Sequence, residues 1–360
     1  MRAFYKIIGC GTEFISDWFH EPYTILTIAN DGAAWVLDYE AQELQKIAKQ
    51  LGISAKIHRH INLKYRQCIH YTSQFILQEP YKYKTSNRIS LDYFHGMPNQ
   101  GEEFAQVFEA FKKNHQYLHR IRVSNSMIEN LLLTTKVEPA KIHRIVISID
   151  TDLFKPKTQE ESRLAKIKLG IPEDSLVIGS FQKDGHGWGE GMEPKLIKGP
   201  DVFLKVLSLL KEKLPNLHVL LTGPARGYVK KGLSELNIPF THRYLNKYEE
   251  IVPYFQALDL YLVTSREEGG PKAILEAMAS GVPLITTKVG QAIDLVRHEE
   301  NGWMVECGDV EGLAHSAEII LSRSAAYQNI LVDARKTAEA NSYTAQIPLW
   351  KKYFEDYVIN

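Results

Sequence analysis

Short apolar runs alternate with segments of helical apolar spacing through the second half of the chain. An unbroken apolar run bounded by turn residues indicates a strand, and apolar positions three or four apart indicate a helix. The pattern predicts strands at 175–181, 217–222, 258–263, 283–287 and 302–305, and helices at 201–214, 228–236 and 310–322. Such alternation is typical of a parallel sheet with helices on both faces. Ligands of these sheets bind beyond the carboxyl ends of the strands.

The first half of the chain has a less regular pattern. It predicts strands at 23–29, 87–94, 121–126 and 142–149, and helices at 41–51, 102–113 and 127–134. With 360 residues, of which 44% are hydrophobic, the chain is long enough for two domains with sizeable cores. We place a boundary near 149–156, which gives an N-terminal domain at 1–155 and a second domain at 156–342. The remaining segment, 343–360, has the apolar spacing of a terminal helix.

One predicted strand end carries the most specific chemistry. The strand at 258–263 leads to Glu268 and a Gly-Gly-Pro run at 269–271, and Glu276 follows eight positions after Glu268. Proline suits the first position of a helix and glycine its end, so a helix is predicted between this run and Gly281. The first amides of a helix lack partners within it and, with the helix dipole, form an anion site. A phosphate site between two carboxylates is what a nucleotide sugar requires.

A glycine-rich loop follows the strand predicted at 175–181. Alternate positions from 185 to 191 are glycines, and Lys198 with Gly199 and Pro200 then leads into a helix. Glycines allow close approach to the backbone, and a lysine at a helix start suits phosphate charge. The loop matches neither the phosphate loop of nucleotide hydrolases nor the dinucleotide-binding fingerprint.

Charge and cysteine content narrow the class of protein. Basic and acidic side chains balance at 43 each, which gives no electrostatic support for a nucleic-acid partner. Cys10, Cys68 and Cys307 have neither metal nor disulfide spacing, so a reducing cytoplasm is expected. No segment approaches the about 20 apolar residues of a membrane span, and the first residues lack a secretory signal pattern. Peripheral contact at the inner membrane face stays open.

The segment 264–281 resembles the Glu-x7-Glu signature of retaining GT-B glycosyltransferases of the family-4 type, the glycosyl transferases group 1. The resemblance continues through Val289-Gly290 and Asn301-Gly302 and covers about residues 120–320. It implies an α/β GT-B fold with two Rossmann-like parallel-sheet domains facing a central cleft. It also implies a C-terminal helix that crosses back to the first domain.

The resemblance assigns roles to individual residues. It implies that Glu268 contacts the donor sugar, that Glu276 binds the nucleotide ribose, and that Lys198 stabilises the charge of the leaving diphosphate. The expected catalytic residues are Glu268, Lys198 and His95. The expected donor-binding residues are Lys183, Gly269, Gly270, Pro271, Lys272, Glu276, Tyr244, Arg226 and Gly11. An ordinary strand, turn and helix with solvated glutamates is the weaker alternative, because the glycines and proline accompany the glutamates.

The chain departs from the family at one point of this site. The arginine that the family carries ahead of its lysine is absent, and Gln182-Lys183 stands near its place. Arg226 is expected to reach a phosphate, with a surface turn arginine as the alternative. Lys272 is expected to add phosphate charge or to favour an acidic sugar, with an exposed first-turn lysine as the alternative. Tyr244 lies in the stretch that lines the base pocket in the family.

The first half of the chain contributes fewer candidates. His95 belongs to a His-Gly pair that resembles the family's strand end facing the donor sugar. Gly11 is expected near the phosphate or the acceptor, with a simple turn as the alternative. His58, His60 and His70 lack a recognised metal spacing, so we favour a solvated basic loop over a metal site.

The resemblance therefore implies a retaining transferase that needs no metal or other cofactor. The expected partners are a UDP- or GDP-sugar and a glycan, lipid-linked or small-molecule acceptor, as in cell-surface polysaccharide or glycolipid synthesis. Two alternatives remain open. One is a nucleotide-sugar 2-epimerase on the same fold, against which the Gly-Gly-Pro signature argues. The other is a non-catalytic module that binds sugar nucleotides, which the missing arginine favours.

Overall fold

A computed structural model describes residues 22–30, 36–64, 66–321 and 326–359. The strands are β1 (Ile25–Ala29), β2 (Ser54–His58), β3 (Cys68–Tyr71), β4 (Arg88–Asp92), β5 (Arg120–Val123), β6 (Ile142–Arg144), β7 (Leu176–Phe181), β8 (Leu217–Thr222), β9 (Phe240–Arg243), β10 (Leu260–Val263), β11 (Leu284–Thr287) and β12 (Trp303–Val305). The α-helices are α1 (Val36–Gln50), α2 (Glu102–Asn114), α3 (Ser126–Leu133), α4 (Gln159–Leu169), α5 (Pro200–Lys211), α6 (Gly227–Glu235), α7 (Val252–Ala257), α8 (Lys272–Ala279), α9 (Ala292–Leu295), α10 (Val310–Leu321), α11 (Ala326–Ala340) and α12 (Ile347–Phe354).

The chain divides into two compact units, each built around one sheet. Unit 1 comprises residues 1–123, 128–145 and 347–360, and unit 2 comprises residues 124–127 and 146–346. Unit 1 has the strand order β2-β1-β3-β4-β5-β6, and unit 2 has the order β12-β11-β10-β7-β8-β9. All neighbouring strands pair in parallel. The order reverses between β1 and β3 in unit 1 and between β7 and β10 in unit 2.

The core of unit 2 follows directly from its sequence pattern. The apolar runs of β7, β8, β10 and β11 are buried on both faces, as parallel strands covered by helices must be. Helices α5 and α10 place their apolar positions on one side of this sheet, where they join a single cluster of buried side chains. The predicted parallel α/β architecture is therefore confirmed.

Unit 1 includes the C-terminal segment of the chain. Trp350, Tyr353 and Phe354 of α12 are buried. Tyr357 lies just beyond α12, and its hydroxyl donates to the carbonyl oxygens of Ile69 and Arg88 at 2.9 Å each. These contacts confirm the prediction that a C-terminal helix returns to the first sheet.

The sequence pattern missed or lengthened several elements. It gave no prediction for β2, β3, β9, α4 or α11. The strand predicted at 142–149 is observed only as the short β6. The chain leaves the sheet there because the Ile147 amide donates to Gln291 Oε1 at 2.9 Å and Ile149 pairs instead with Ser342.

His70 contradicts the prediction of a solvated basic loop. It lies in β3 and is fully buried. Its Nδ1 is 3.0 Å from Ser90 Oγ, and its Nε2 is 3.3 Å from Asp92 Oδ1. The error arose because β3 was not predicted. Among the described residues, no helix combines the length and the apolarity that crossing a bilayer requires.

Candidate functional site

Glu268 and Lys198 form an ion pair at the carboxyl edge of the unit 2 sheet. Glu268 lies in the loop after β10, and Lys198 lies just ahead of α5. Lys198 Nζ is 2.5 Å from Glu268 Oε2, and Ser265 Oγ donates to Glu268 Oε1 at 3.0 Å. The two side chains are 22% and 12% exposed, so the pair is shielded but still reaches solvent. The structure thus brings together two residues that the sequence places 70 positions apart.

This ion pair lies where the strand order of unit 2 reverses. The loop after β7 and the loop after β10 flank the reversal. Connections on either side of such a point leave toward opposite faces of the sheet, which opens a crevice beyond the strand ends. The position is therefore the expected ligand site of unit 2.

Backbone contacts fix the two loops against each other. The Arg266 amide donates to Ile197 O at 2.7 Å, and the Arg266 guanidinium holds Asp201 through two hydrogen bonds of 2.8 and 2.7 Å. Gly199 has a φ of +66°, and a Cβ at this position would lie 1.9 Å from Thr264 O. Only glycine fits here, so the residue that follows Lys198 sets how closely the two loops approach.

Helix α8 begins in a segment held by buried polar side chains. Gly269 O accepts hydrogen bonds from Ser124 Oγ at 2.7 Å and from Asn125 Nδ2 at 2.8 Å. Gly270 lies against Gln291, and an added Cβ would meet Gln291 Oε1 at 2.8 Å. Every residue of α8 is buried. The start of this helix therefore offers rigidly placed amides to an anion.

Glu276 lies inside α8 and is 4% exposed. The Tyr248 hydroxyl donates to Glu276 Oε1. Phe154 packs against the Tyr248 ring, with 5.8 Å between the ring centroids. An ionised carboxylate has about four acceptor positions, more than the hydrogen bond from Tyr248 alone occupies. Tyr248 and Ser265 could not be predicted from the sequence, because local spacing gives no signal for these partner side chains.

Lys272 is buried, at 8% exposure, so the alternative of an exposed first-turn lysine is wrong. Its Nζ donates to Ser148 O at 2.8 Å and to the Tyr343 hydroxyl at 2.7 Å. The ammonium group also lies 5.3 Å from the Tyr248 ring centroid and 5.0 Å from that of Tyr343. Lys272 therefore ties the start of α8 to two connecting segments of unit 2. Its predicted contact with a phosphate stays a prediction.

Gln182 and Lys183 occupy the end of β7, near the place of the family's arginine. Gln182 Nε2 donates to Lys198 O at 3.0 Å, so this side chain supports the loop that carries Lys198. Lys183 Nζ lies 3.9 Å from the ring centroid of Trp188, which is 62% exposed. An exposed cation–π contact is worth about 0.5–1 kcal/mol, so a phosphate can compete for this ammonium group.

Arg226 is buried beneath the β7–α5 loop, which we define as residues 184–195. Its Nη1 donates to Ser180 O at 2.6 Å and to Thr222 O at 2.9 Å, and its Nε is 3.0 Å from Asp184 Oδ1. Burial raises the pKa of Asp184, and the charge of Arg226 opposes that rise. The alternative of a surface turn arginine is wrong. The guanidinium binds the ends of β7 and β8, so its predicted phosphate contact receives no support.

The remaining predicted residues are Tyr244, His95 and Gly11. Tyr244 follows β9 and is 55% exposed. His95 belongs to unit 1, where its carbonyl accepts from Gln74 Nε2 at 3.1 Å and its ring lies 5.5 Å from that of Phe104. Gly11 lies outside the described residues. The functional roles of all three stay predictions.

Lysine side chains and the start of a helix supply positive charge at this edge of unit 2. Lys183 lies just before the β7–α5 loop and Lys198 lies shortly after it, and the start of α8 adds its partial charge of about +0.5. Within the described ranges, no three or more His, Cys, Asp or Glu side chains are grouped to hold a metal ion. The arrangement can bind an anion between Glu268 in the loop after β10 and Glu276 inside α8.

Comparison with known proteins agrees with this geometry. Residues 193–337 match the family model described as glycosyl transferases group 1. A D-inositol 3-phosphate glycosyltransferase from Corynebacterium urealyticum is 28% identical over 194 residues, which are 51% of this chain and 43% of the relative. The lipopolysaccharide core biosynthesis mannosyltransferase LpsB of Rhizobium meliloti is 27% identical over 182 residues, 48% of each chain. The matches thus span about half the length of these curated relatives.

A solved structure shows the same fold over nearly the whole chain. The Anabaena protein HepE, in complex with UDP-glucose, superimposes with a TM-score of 0.72 over 93% of this chain and 99% of its own. The sequence identity is 15%, so this likeness concerns the fold alone.

The two parallel α/β units and the returning terminal helix define a protein of the GT-B fold. More particularly, the part of the chain that matches the glycosyl transferases group 1, residues 193–337, contains Lys198, Glu268 and Glu276.

Proposed function

We propose that the chain transfers a sugar from a UDP- or GDP-sugar to an acceptor hydroxyl with retention at the anomeric carbon. The ion pair of Lys198 and Glu268 beside the buried start of α8 carries the proposal, because it places a cation, a carboxylate and helix amides together. The group 1 family match and the UDP-glucose bound to HepE support a nucleotide-sugar donor.

In the proposed reaction, Lys198 and the amides at the start of α8 bind the donor diphosphate. The bond between the anomeric carbon and the phosphate oxygen breaks, and a bond from that carbon to the acceptor oxygen forms on the same face. The acceptor proton passes to the departing phosphate. Because negative charge on the diphosphate grows as the first bond breaks, fixed positive groups stabilise the transition state more than the bound donor.

The two glutamates have separate roles in this scheme. Glu268 accepts hydrogen bonds from hydroxyl groups of the donor sugar, and Ser265 and Lys198 hold its carboxylate in place. Glu276 accepts from the ribose hydroxyls, with Tyr248 fixing its orientation. His95 is proposed to contact the donor sugar from unit 1.

We propose that the transfer needs no metal ion, since Lys198 and the helix amides supply positive charge to the diphosphate. A glycan, lipid-linked or small-molecule acceptor is proposed, in the synthesis of a cell-surface polysaccharide or glycolipid. The relatives named for lipopolysaccharide core biosynthesis and for D-inositol 3-phosphate support this range of acceptors. The proposed location is the cytoplasm, including the inner face of the membrane.

The test is a panel of UDP- and GDP-sugars incubated with the purified chain and EDTA. We expect one donor to bind and to be hydrolysed slowly, with the released sugar first appearing in the donor's anomeric configuration by NMR. Glu268→Gln should remove hydrolysis but keep UDP binding, whereas Glu276→Ala should weaken UDP binding. The exposed Glu235 provides the matched control, Glu235→Gln.

Three outcomes would contradict the proposal. A 2-epimeric nucleotide sugar formed without acceptor would identify an epimerase. Donor binding without any hydrolysis or transfer would identify a binding module. Loss of activity in EDTA that Mg²⁺ restores would contradict the metal-free scheme.

A further inference from the structure

A second pocket lies at the carboxyl edge of the unit 1 sheet, and we call it the unit 1 pocket. Its volume is about 480 Å³. It is lined at the end of β1 by Asn30, after β2 by Arg59 and His60, and at the end of β3 by Tyr71 and Thr72. The strand order of unit 1 reverses between β1 and β3, so the pocket occupies the position where ligands of such sheets bind.

Hydrogen bonds between the strand ends shape this pocket in advance. Thr72 Oγ1 donates to Ala29 O at 3.1 Å, and the Asn30 amide donates to His58 O at 3.1 Å. The Tyr71 hydroxyl donates to Lys82 O at 3.1 Å, which fixes the outer wall. A preformed pocket of this volume lies within the range of about 300–1,000 Å³ that small ligands occupy.

The described residues that line the pocket include the cations Arg59 and Lys82, and none of these residues is Asp or Glu. Lys82 Nζ is held by Glu79 at 2.7 Å. Arg59 is exposed and makes no hydrogen bond or ion pair with a described residue. Among the described residues none competes for its guanidinium, whose planar fork suits the oxygens of a phosphate.

The other walls suit a ring or an apolar body. Tyr71, Ile76, Ile61 and Leu63 line the interior, and Tyr81 lies at the rim with 64% exposure. The Tyr81 hydroxyl is held by Glu79 at 2.6 Å. Tyrosine rings pack against sugar rings while their hydroxyl groups stay hydrated.

We propose that unit 1 binds a small soluble phosphate monoester, with Arg59 on the phosphate and the ring or apolar body against Tyr71 and Ile76. A lipid headgroup carries the same chemistry, but a pocket of about 480 Å³ has the size of a small-ligand site and favours a free sugar phosphate. The binding site does not depend on the proposed transfer.

Calorimetric titration of the full chain, without nucleotide, tests the proposal. Glucose 6-phosphate is the probe, and glucose is its neutral counterpart. We expect the phosphate to bind and glucose not to bind. Arg59→Ala should weaken glucose 6-phosphate binding about tenfold or more, because a charge-assisted contact is lost. Lys64→Ala removes a nearby exposed cation that does not line the pocket, and it should change the affinity less than twofold.

Each further result supports or overturns the proposal. An unchanged UDP affinity in Arg59→Ala supports a site separate from that of the donor, and a weakened UDP affinity overturns it. Equal weakening by Arg59→Ala and Lys64→Ala shows general charge attraction and overturns it. Absence of glucose 6-phosphate binding overturns it too, as does binding only to vesicles that contain phosphatidic acid. Because no donor is present, these results do not depend on whether the chain transfers sugar.

Discussion

Both sheets contain a reversal of strand order, but the side chains that lie near the two reversals differ. In unit 2, the reversal between β7 and β10 presents Lys198 already paired with Glu268, on loops joined by backbone hydrogen bonds. In unit 1, the reversal between β1 and β3 presents Arg59, which forms no ion pair with the described residues. The first arrangement has fixed geometry, whereas in the second no described residue pairs with Arg59.

This difference corresponds to different physical demands. Stabilising a transition state requires groups that are already oriented when charge develops, and satisfied contacts hold them there. Binding a ground-state anion requires an accessible cation in a pocket of suitable size. Unit 2 thus has the features of a reacting site, and unit 1 those of a binding site.

The strongest test of this comparison is Lys198→Met in unit 2. We expect transfer or donor hydrolysis to fall by about 10²–10³-fold, because a cation proposed to stabilise the leaving group is lost. Rates are measured at saturating donor, with UDP affinity measured separately. Lys205→Met, at an exposed position of α5, is the matched control and should change the rate less than twofold. A rate within threefold of wild type for Lys198→Met would remove the catalytic distinction between the units.

The rigidity of the unit 2 loops is tested by a pair of glycine substitutions. Gly199 and Gly52 both have positive φ, +66° and +79°, but only Gly199 has backbone within 4 Å of an added Cβ. Gly52→Ala in unit 1 should cost about 1 kcal/mol of unfolding free energy from backbone strain alone. Gly199→Ala should cost about 3 kcal/mol or more, because the loop must also move away from Thr264. Urea denaturation measures both losses of unfolding free energy. Equal losses would show that the unit 2 loops can move apart at little cost in stability.

Much of unit 2 could be predicted from its sequence. Strands buried on both faces have continuous apolar runs, so β7, β8, β10 and β11 were placed within about two residues. The site loops were located because glycine and proline mark the ends of strands and starts of helices. Glu268 and Lys198 could then be assigned to those loops, and Glu276 to the helix that follows, from their positions alone.

The parts that could not be predicted depend on contacts between distant residues. Strands β2 and β3 contain Lys56, His58 and His70, which interrupt the apolar pattern. Arg226 is paired with Asp184 inside unit 2, although its turn sequence is typical of the surface. Tyr248 approaches Glu276 only in the folded chain. Spacing along the sequence carries no information about such pairings.

The smallest expected effect is a loss of unfolding free energy in acid, which we expect in unit 1 because of His143. Burial, followed by the charges of Arg120 and Lys352, lowers the pKa of His143 in unit 1 from 6.5 to about 4. The folded state then binds this proton more weakly than the unfolded state, so stability present above pH 6.5 is lost as the pH falls toward 4. Solvent screening of this half-buried ring reduces the expected loss to about 1 kcal/mol.

His143→Phe keeps a ring against Tyr353 but cannot be protonated, so its unit 1 should lose about 1 kcal/mol less than wild type between pH 7 and pH 4.5. Hydrogen exchange of β5 and β6 measures this separately from unit 2, and the comparison at pH 7.5 corrects for any change in packing. If both proteins lose protection equally on acidification, His143 is not the source of acid sensitivity in unit 1.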